Sequence, residues 1–158
     1  MARTQSKVLL NYRQMKNLEI RDGEYMTNYG DRSEEGMAKV WVAAGAIAGL
    51  LAVTAGALGT HTLRGTLDAD ALRIFETAVR FQMYHGLALL ATGLFAEKWA
   101  GTWVSLSGWM FLAGMVLFSG SLYILAMTGI GAFGAIAPLG GLSLMFGWAF
   151  LAVGAFRR

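Results

Sequence analysis

Between Trp99 and Phe156 the chain carries no aspartate, glutamate, lysine, arginine or histidine, and few folds are open to so long an uncharged run. A water-soluble domain would leave much of it as apolar surface, which soluble monomers rarely expose in large patches. Lipid accepts it. In lipid every backbone polar group must find its partner inside the protein, so spanning segments are helices or closed barrels. The period-two alternation of a barrel strand is absent, and helices follow. A hydrocarbon core of roughly 30 Å takes about 20 helical residues, and the chain offers four such stretches, at about 40–59, 74–96, 103–127 and 138–156. The expected fold is all-α, an integral membrane four-helix bundle (37–158) with a polar N-terminal extension (1–36).

The connections agree with this division. TGIGAFGAIAP, between the third and fourth stretches, is too rich in glycine for a continuous helix. Pro138 suits a first helical turn, where its missing N–H costs nothing. Asp68 or Asp70 in TLDADALRIF is the expected cap of the second helix. Four spans put both termini on one side, together with Arg32, Lys39, Lys98, Arg157 and Arg158. The other side has Arg64 and Arg73, with Arg80 at its edge. That excess predicts cytoplasmic termini. No cleavable signal peptide precedes the first span, which is itself the expected insertion signal. The formal net charge of +3 lies partly at the chain ends and gives no reason to expect nucleic acid as a partner. Without cysteine there is neither a disulfide nor a thiolate ligand or nucleophile.

Residues 1–36 differ in composition from all that follows, with charges of both signs and a faint amphipathic trace in VLLNYRQMKNLEI. They read as a docking segment, as a disordered tail, or as a start placed too early. Met37 directly precedes the first span, and Glu34, Glu35 and Gly36 are encoded by a nearly pure purine run, as a ribosome-binding site would be.

Small residues recur at helical spacing. Gly45, Gly49, Ala52, Gly56 and Gly59 form one stripe on the first span, with intervals of four and three. Seven-residue intervals join Gly86 to Gly93, Ser107 to Gly114 and Ser121, and Gly140 to Gly147 and Gly154. In lipid, helices associate by van der Waals contact, and small residues let backbones approach. These stripes either pack the bundle or present one face to another subunit.

Charged residues and histidine interrupt only the second span, in FETAVRFQMYHGLALLATGLF from Phe75. Counting back from Glu97 at about 1.5 Å per residue, His85 lies roughly 18 Å deep, Arg80 roughly 25 Å and Glu76 roughly 31 Å, at the far interface. Arg73, Glu76, Thr77, Arg80 and Tyr84 share one arc of the helix, and Glu76 with Arg80 has the favourable i, i+4 order for an interfacial ion pair. His85 is on the opposite side, turned to the bundle interior, where Ser119, Ser121 or Tyr123 would be its hydrogen-bond partner. An ionisable group at such depth marks a candidate proton relay or ligand contact. His85, His61, Glu76, Arg80 and Tyr84 are therefore the candidate site residues, with no catalytic group among them. Haem ligation between His61 and His85 is disfavoured, because their depths differ by about 15 Å while axial ligands flank one iron. Two histidines at different depths likewise make no metal site, so neither cofactor nor metal is expected.

These same residues carry a resemblance. GALGTHTL from Gly56, FETAVRFQMYHGLALL from Phe75, LFSGSLYILAMTG from Leu117 and APLGGL from Ala137 resemble, in order and spacing, the YgdD-like family (domain of unknown function 423), small bacterial inner-membrane proteins with eukaryotic mitochondrial relatives. The resemblance runs from about Met37 to Phe156 and implies a four-span protein of the bacterial inner membrane. It departs at Thr60 and Thr62, which flank His61 where the family favours GAHGL, and at Ala137, where a threonine is common. No reaction is implied.

Three classes of function are thereby ranked. A non-catalytic small subunit, packing in the bilayer against itself or a larger membrane protein complex, with residues 1–36 as a further contact, accounts for the glycine stripes. A small transporter or proton-linked carrier would use His85 with Glu76 and Arg80, yet no span is interrupted at mid-membrane as such carriers commonly are. An enzyme lacks any recognisable grouping of nucleophile, base and orienting group.

Overall fold

The structure is a computed structural model and describes residues 36–157. The polar arm, apart from Gly36, lies outside the described residues. Four helices follow one another: α1 over 36–61, α2 over Ala69–Ala96, α3 over Thr102–Thr128 and α4 over Ala137–Phe156. Two 3-10 turns, Leu63–Gly65 and Gly131–Ala135, lie in the first and last connections.

Local chemistry sets the ends. Asp68 accepts the Ala71 N–H at 2.8 Å, so of the two candidate caps it is Asp68 that starts α2. The helix thus begins at Ala69, earlier than the apolar pattern near 74 indicates, because an N-cap bond holds a polar first turn as well as an apolar one. α3 stops at Gly129, whose φ of 69° places it in the left-handed region, with its N–H on the Leu125 carbonyl at 2.8 Å. The glycine-rich run beyond it holds the second 3-10 turn, and Pro138 sits in the first turn of α4.

Neighbouring helices run antiparallel. Going up α1, Gly45 meets Gly86 and Leu90, and Gly59 meets Phe75, so α2 descends beside it. Phe75 packs on Tyr123 and His85 on Phe111, which makes α3 antiparallel to α2. Gly140, Gly147 and Gly154 of α4 face Phe118, Phe111 and Val104 of α3. Three segments, Gly36–Gly65, Thr102–Thr128 and Gly131–Phe156, are apolar and long enough to cross a membrane. α2 is as long, but Arg80, Gln82 and His85 dilute its apolar character. It lies alongside α1 and α3 along their length. The architecture is an all-α membrane bundle, with Trp41, Leu89, Phe111 and Leu144 fully or almost fully covered at its centre. At the end of the bundle where α1 begins and α4 stops, the Arg157 guanidinium sits 5.2 Å above the Trp103 ring, a pairing suited to the interface between headgroups and hydrocarbon.

Candidate functional site

α2 is polar on two sides, and the two sides meet different surroundings. Arg73, Glu76, Arg80 and Tyr84 are exposed. Arg73 pairs with Asp70 at 3.0 Å. The expected ion pair between Glu76 and Arg80 is not formed. Instead the Arg80 Nε donates to the Glu76 backbone carbonyl and its Nη2 to Thr77 Oγ1, each at 3.4 Å. Helical side chains lean towards the N-terminus, and here that direction leads out of the hydrocarbon, so the guanidinium follows its own helix towards the headgroups. Both bonds are long and weak by ordinary geometry.

The buried side carries a different pair. Gln82 and His85, three residues apart, share a face with Ala78, Ala88 and Thr92, and all five are buried. Gln82 Nε2 donates to the Ala48 carbonyl of α1 at 3.0 Å, and its Oε1 accepts from the Tyr123 hydroxyl of α3 at 2.9 Å. One amide thus joins three helices. Ala48 is close to α2 because Gly86 is a glycine: a Cβ there would lie 3.1 Å from the Ala48 Cβ.

His85 is partnered in a way that its ring nitrogens make unambiguous. Nδ1 faces the Phe81 carbonyl at 2.8 Å, and a carbonyl only accepts. Nε2 faces the Trp148 Nε1–H at 3.3 Å, and an indole only donates. The imidazole is therefore neutral with its proton on Nδ1. The partner expected from α3, Ser119, Ser121 or Tyr123, is corrected to Trp148 of α4. Tyr123 is bonded to Gln82, and Ser121 Oγ donates to its own helix at Phe118. Phe81, Phe111 and Trp148 close around the ring, with centroids 5.7, 5.9 and 6.3 Å away. Nothing joins His85 to the exposed candidates. His61 is exposed at the end of α1, near the level of Phe75, ten residues and so about 15 Å along α2 from His85.

Two participants were not among the candidates. Gln82 has a visible signal, since in FQMYH it shares the face of His85 at i, i+3. Trp148 has none, because an indole in an uncharged stretch reads as one more apolar residue. Among the described residues no group of three or more His, Cys, Asp or Glu is placed to hold a metal ion.

The glycines differ sharply in what surrounds them. A Cβ on Gly45 would come within 2.6 Å of the Gly86 carbonyl oxygen and 2.7 Å of Leu90 N. On Gly49 it would meet nothing within 4 Å, on Gly56 only a Val79 methyl at 3.5 Å, and on Gly59 the Phe75 ring at 3.3 Å. Ala52, on the same stripe, is fully buried. On α4, Gly147 and Gly154 would put a Cβ 2.6 Å from the Phe111 ring and 2.9 Å from Val104, and Gly140 would collide with the Phe118 backbone.

Comparison with known proteins gives a consistent answer. Residues 55–141 match a family described as a protein of unknown function, DUF423. A UPF0382 membrane protein of Bacillus subtilis (strain 168), YwdK, is 44% identical over 120 residues, covering 75% of this chain and 98% of its own. One of Staphylococcus saprophyticus is 45% identical over 121 residues, with the same coverage of both chains. No solved structure matches.

Proposed function

Since the chain belongs to DUF423, a family of membrane proteins of unknown function, we propose that it works by contact and not by reaction, as a non-catalytic small subunit that packs in the bacterial inner membrane against itself or a larger membrane complex, with both termini cytoplasmic. The observation that carries this reading is the contrast along one stripe of α1. Gly45 is filled by the backbone of α2, whereas Gly49, one turn on, has open space before it. A second backbone can approach there without disturbing the bundle. The deep polar groups support the same reading, because Gln82 and His85 are engaged by partners inside the bundle.

The geometry also sharpens the test. A side chain starts into open space at Gly49 and meets only a Val79 methyl at 3.5 Å at Gly56, so loss of a heavier particle on Gly49→Leu or Gly56→Leu reports contact between chains. The mass of the detergent-extracted particle, measured by light scattering, should fall in both variants while the helical content stays unchanged. A monomeric wild type indifferent to both changes would sink the reading. Solute or proton flux in liposomes, abolished by His85→Ala, would favour the carrier that uses His85 with Glu76 and Arg80.

A further inference from the structure

Charged side chains in a membrane bundle almost always turn to its interior and pair with one another. On α2 they do neither. Glu76, Arg80, Tyr84, Leu87, Ala91 and Leu94 are all exposed, and at roughly 100° per residue they fall within an arc of about 80°, one straight face turned away from the bundle. The charged part of that face lies among apolar neighbours. Val79 meets Gly56 of α1, and Phe75 and Phe81 pack on Tyr123 and Phe118 of α3, all in stretches without charge on those two helices. Among the described residues neither the Glu76 carboxylate nor the Arg80 guanidinium has a counter-charge within ion-pair distance, and the two bonds of Arg80 to its own helix are long at 3.4 Å.

We propose that this face of α2 is the interface with a second copy of the chain, in which Arg80 of each copy pairs with Glu76 of the partner subunit. The inference rests on the reading of the protein as one that packs against itself, and it names the surface and the bond. Charge carries it. An anion alone suits Arg80 and opposes Glu76, whereas a surface with both signs at the same spacing suits both, and a second α2 is such a surface. Two copies inserted the same way are related by a two-fold axis along the membrane normal, so their α2 helices run parallel and equal positions meet at equal depth. The Arg80 Nε already leans back to the Glu76 carbonyl, which brings the guanidinium towards the level of the partner's Glu76. Both pairs then form together, and the apolar Leu87, Ala91 and Leu94 continue the seam, with Ala91 small enough for close approach.

The open part of α1 adjoins this face. On α1, Gly45 meets α2; round the helix one way lie Ala44, Leu51 and Leu58, on the wall of a hollow of about 700 Å³ between α1 and α3, and the other way lie Gly49 and the exposed Val53. On α2, Gly86 meets α1 while Gln82 turns to Tyr123 of α3, and Leu87 lies the opposite way round. Gly49 and Leu87 are thus on the same side of the α1–α2 pair, away from α3, and one partner covers both.

The test uses the full-length chain in two tagged forms. Glu76→Arg makes the face cationic and Arg80→Glu makes it anionic. Either variant alone should dimerise about tenfold or more weakly than the wild type, since like charges set against each other suppress pairing. Produced in the same cells, the two should recover a mixed dimer, drawn down through either tag and with the mass of two chains by light scattering. The chain has no cysteine, so Leu87→Cys gives an independent reading with the charges intact: oxidation in the membrane should link it to its own copy, while Met145→Cys, exposed on α4, should stay unlinked. Should the swapped chains lose helical content, the Leu87 link alone decides. Dimers that ignore both swaps, or that link at Met145 and not at Leu87, would overturn the inference and leave packing through Gly49 standing. A monomeric wild type would end both. Failure of well-folded variants to pair when mixed would also overturn it, and a phospholipid kept by the wild type but lost from Arg80→Glu in native mass spectrometry would then assign the face to a lipid headgroup.

Discussion

Tyr123, Gln82 and Ala48 form the one described side-chain relay that ties three helices together, and in lipid such bonds contribute about 0.6–1.7 kcal/mol each. Tyr123→Phe should therefore lower stability by about that amount. Gln82→Leu should cost more, since it frees the tyrosine hydroxyl as well. The double variant should cost less than the sum, because the pair acts as a unit. Unfolding of all three in detergent gives the cycle, and strict additivity would show that the bond contributes nothing. His85 allows a spectroscopic counterpart: ¹⁵N shifts of its ring should report a neutral imidazole protonated at Nδ1, and a proton on Nε2 would contradict the Trp148 contact. At this scale the sequence was half legible. The depth of His85 and the face it shares with Gln82 follow from helical spacing alone. Which residue meets it does not, since Trp148 is sixty-three positions away and only the approach of α4 brings it there.

Each helix owes its position to where it lacks side chains. On α4, Gly140, Gly147 and Gly154 recur every seven residues, and the α3 residues that fill them, Phe118, Phe111 and Val104, recur every seven in the opposite direction. Such matched repeats keep one seam in contact along both helices. Gly147→Ala would place a methyl carbon 2.6 Å from the Phe111 ring, and Gly45→Ala one at 2.6 Å from a backbone oxygen. Overpacking of this kind costs about 1–3 kcal/mol. The backbone collision at Gly45 should be the worse of the two, because a ring can turn and a helix backbone cannot. Gly120→Ala, with nothing within 4 Å, should be neutral or slightly stabilising through helix propensity. Thermal unfolding of the three variants checks that order. The intervals of these glycines were plain in the sequence, but it held no means of separating Gly45 from Gly49. Both belong to one stripe, and the distinction lies in how far round α1 the edge of α2 extends.

Among the described residues, the antiparallel succession of α1 to α4 puts the α2–α3 connection on the side where α1 begins and α4 ends, and the other two connections opposite. The chain has no cysteine, so single reporters are free of background. Lys98→Cys should react with a membrane-impermeant maleimide from one side only, and Thr66→Cys and Ala132→Cys from the other. Modification of all three from the same side would break the topology. The succession of four helices, their approximate extents and their membrane character were legible in the sequence alone. All of these follow from the matching of an apolar run to a layer of fixed thickness. Only the tertiary structure decided the partners of Gln82, His85 and Arg80, which glycines are filled, and the hollow between α1 and α3. Those depend on the rotation of each helix about its axis and on the splay between helices. Inside a bilayer no gain from excluding water selects either one, so contact between particular surfaces must.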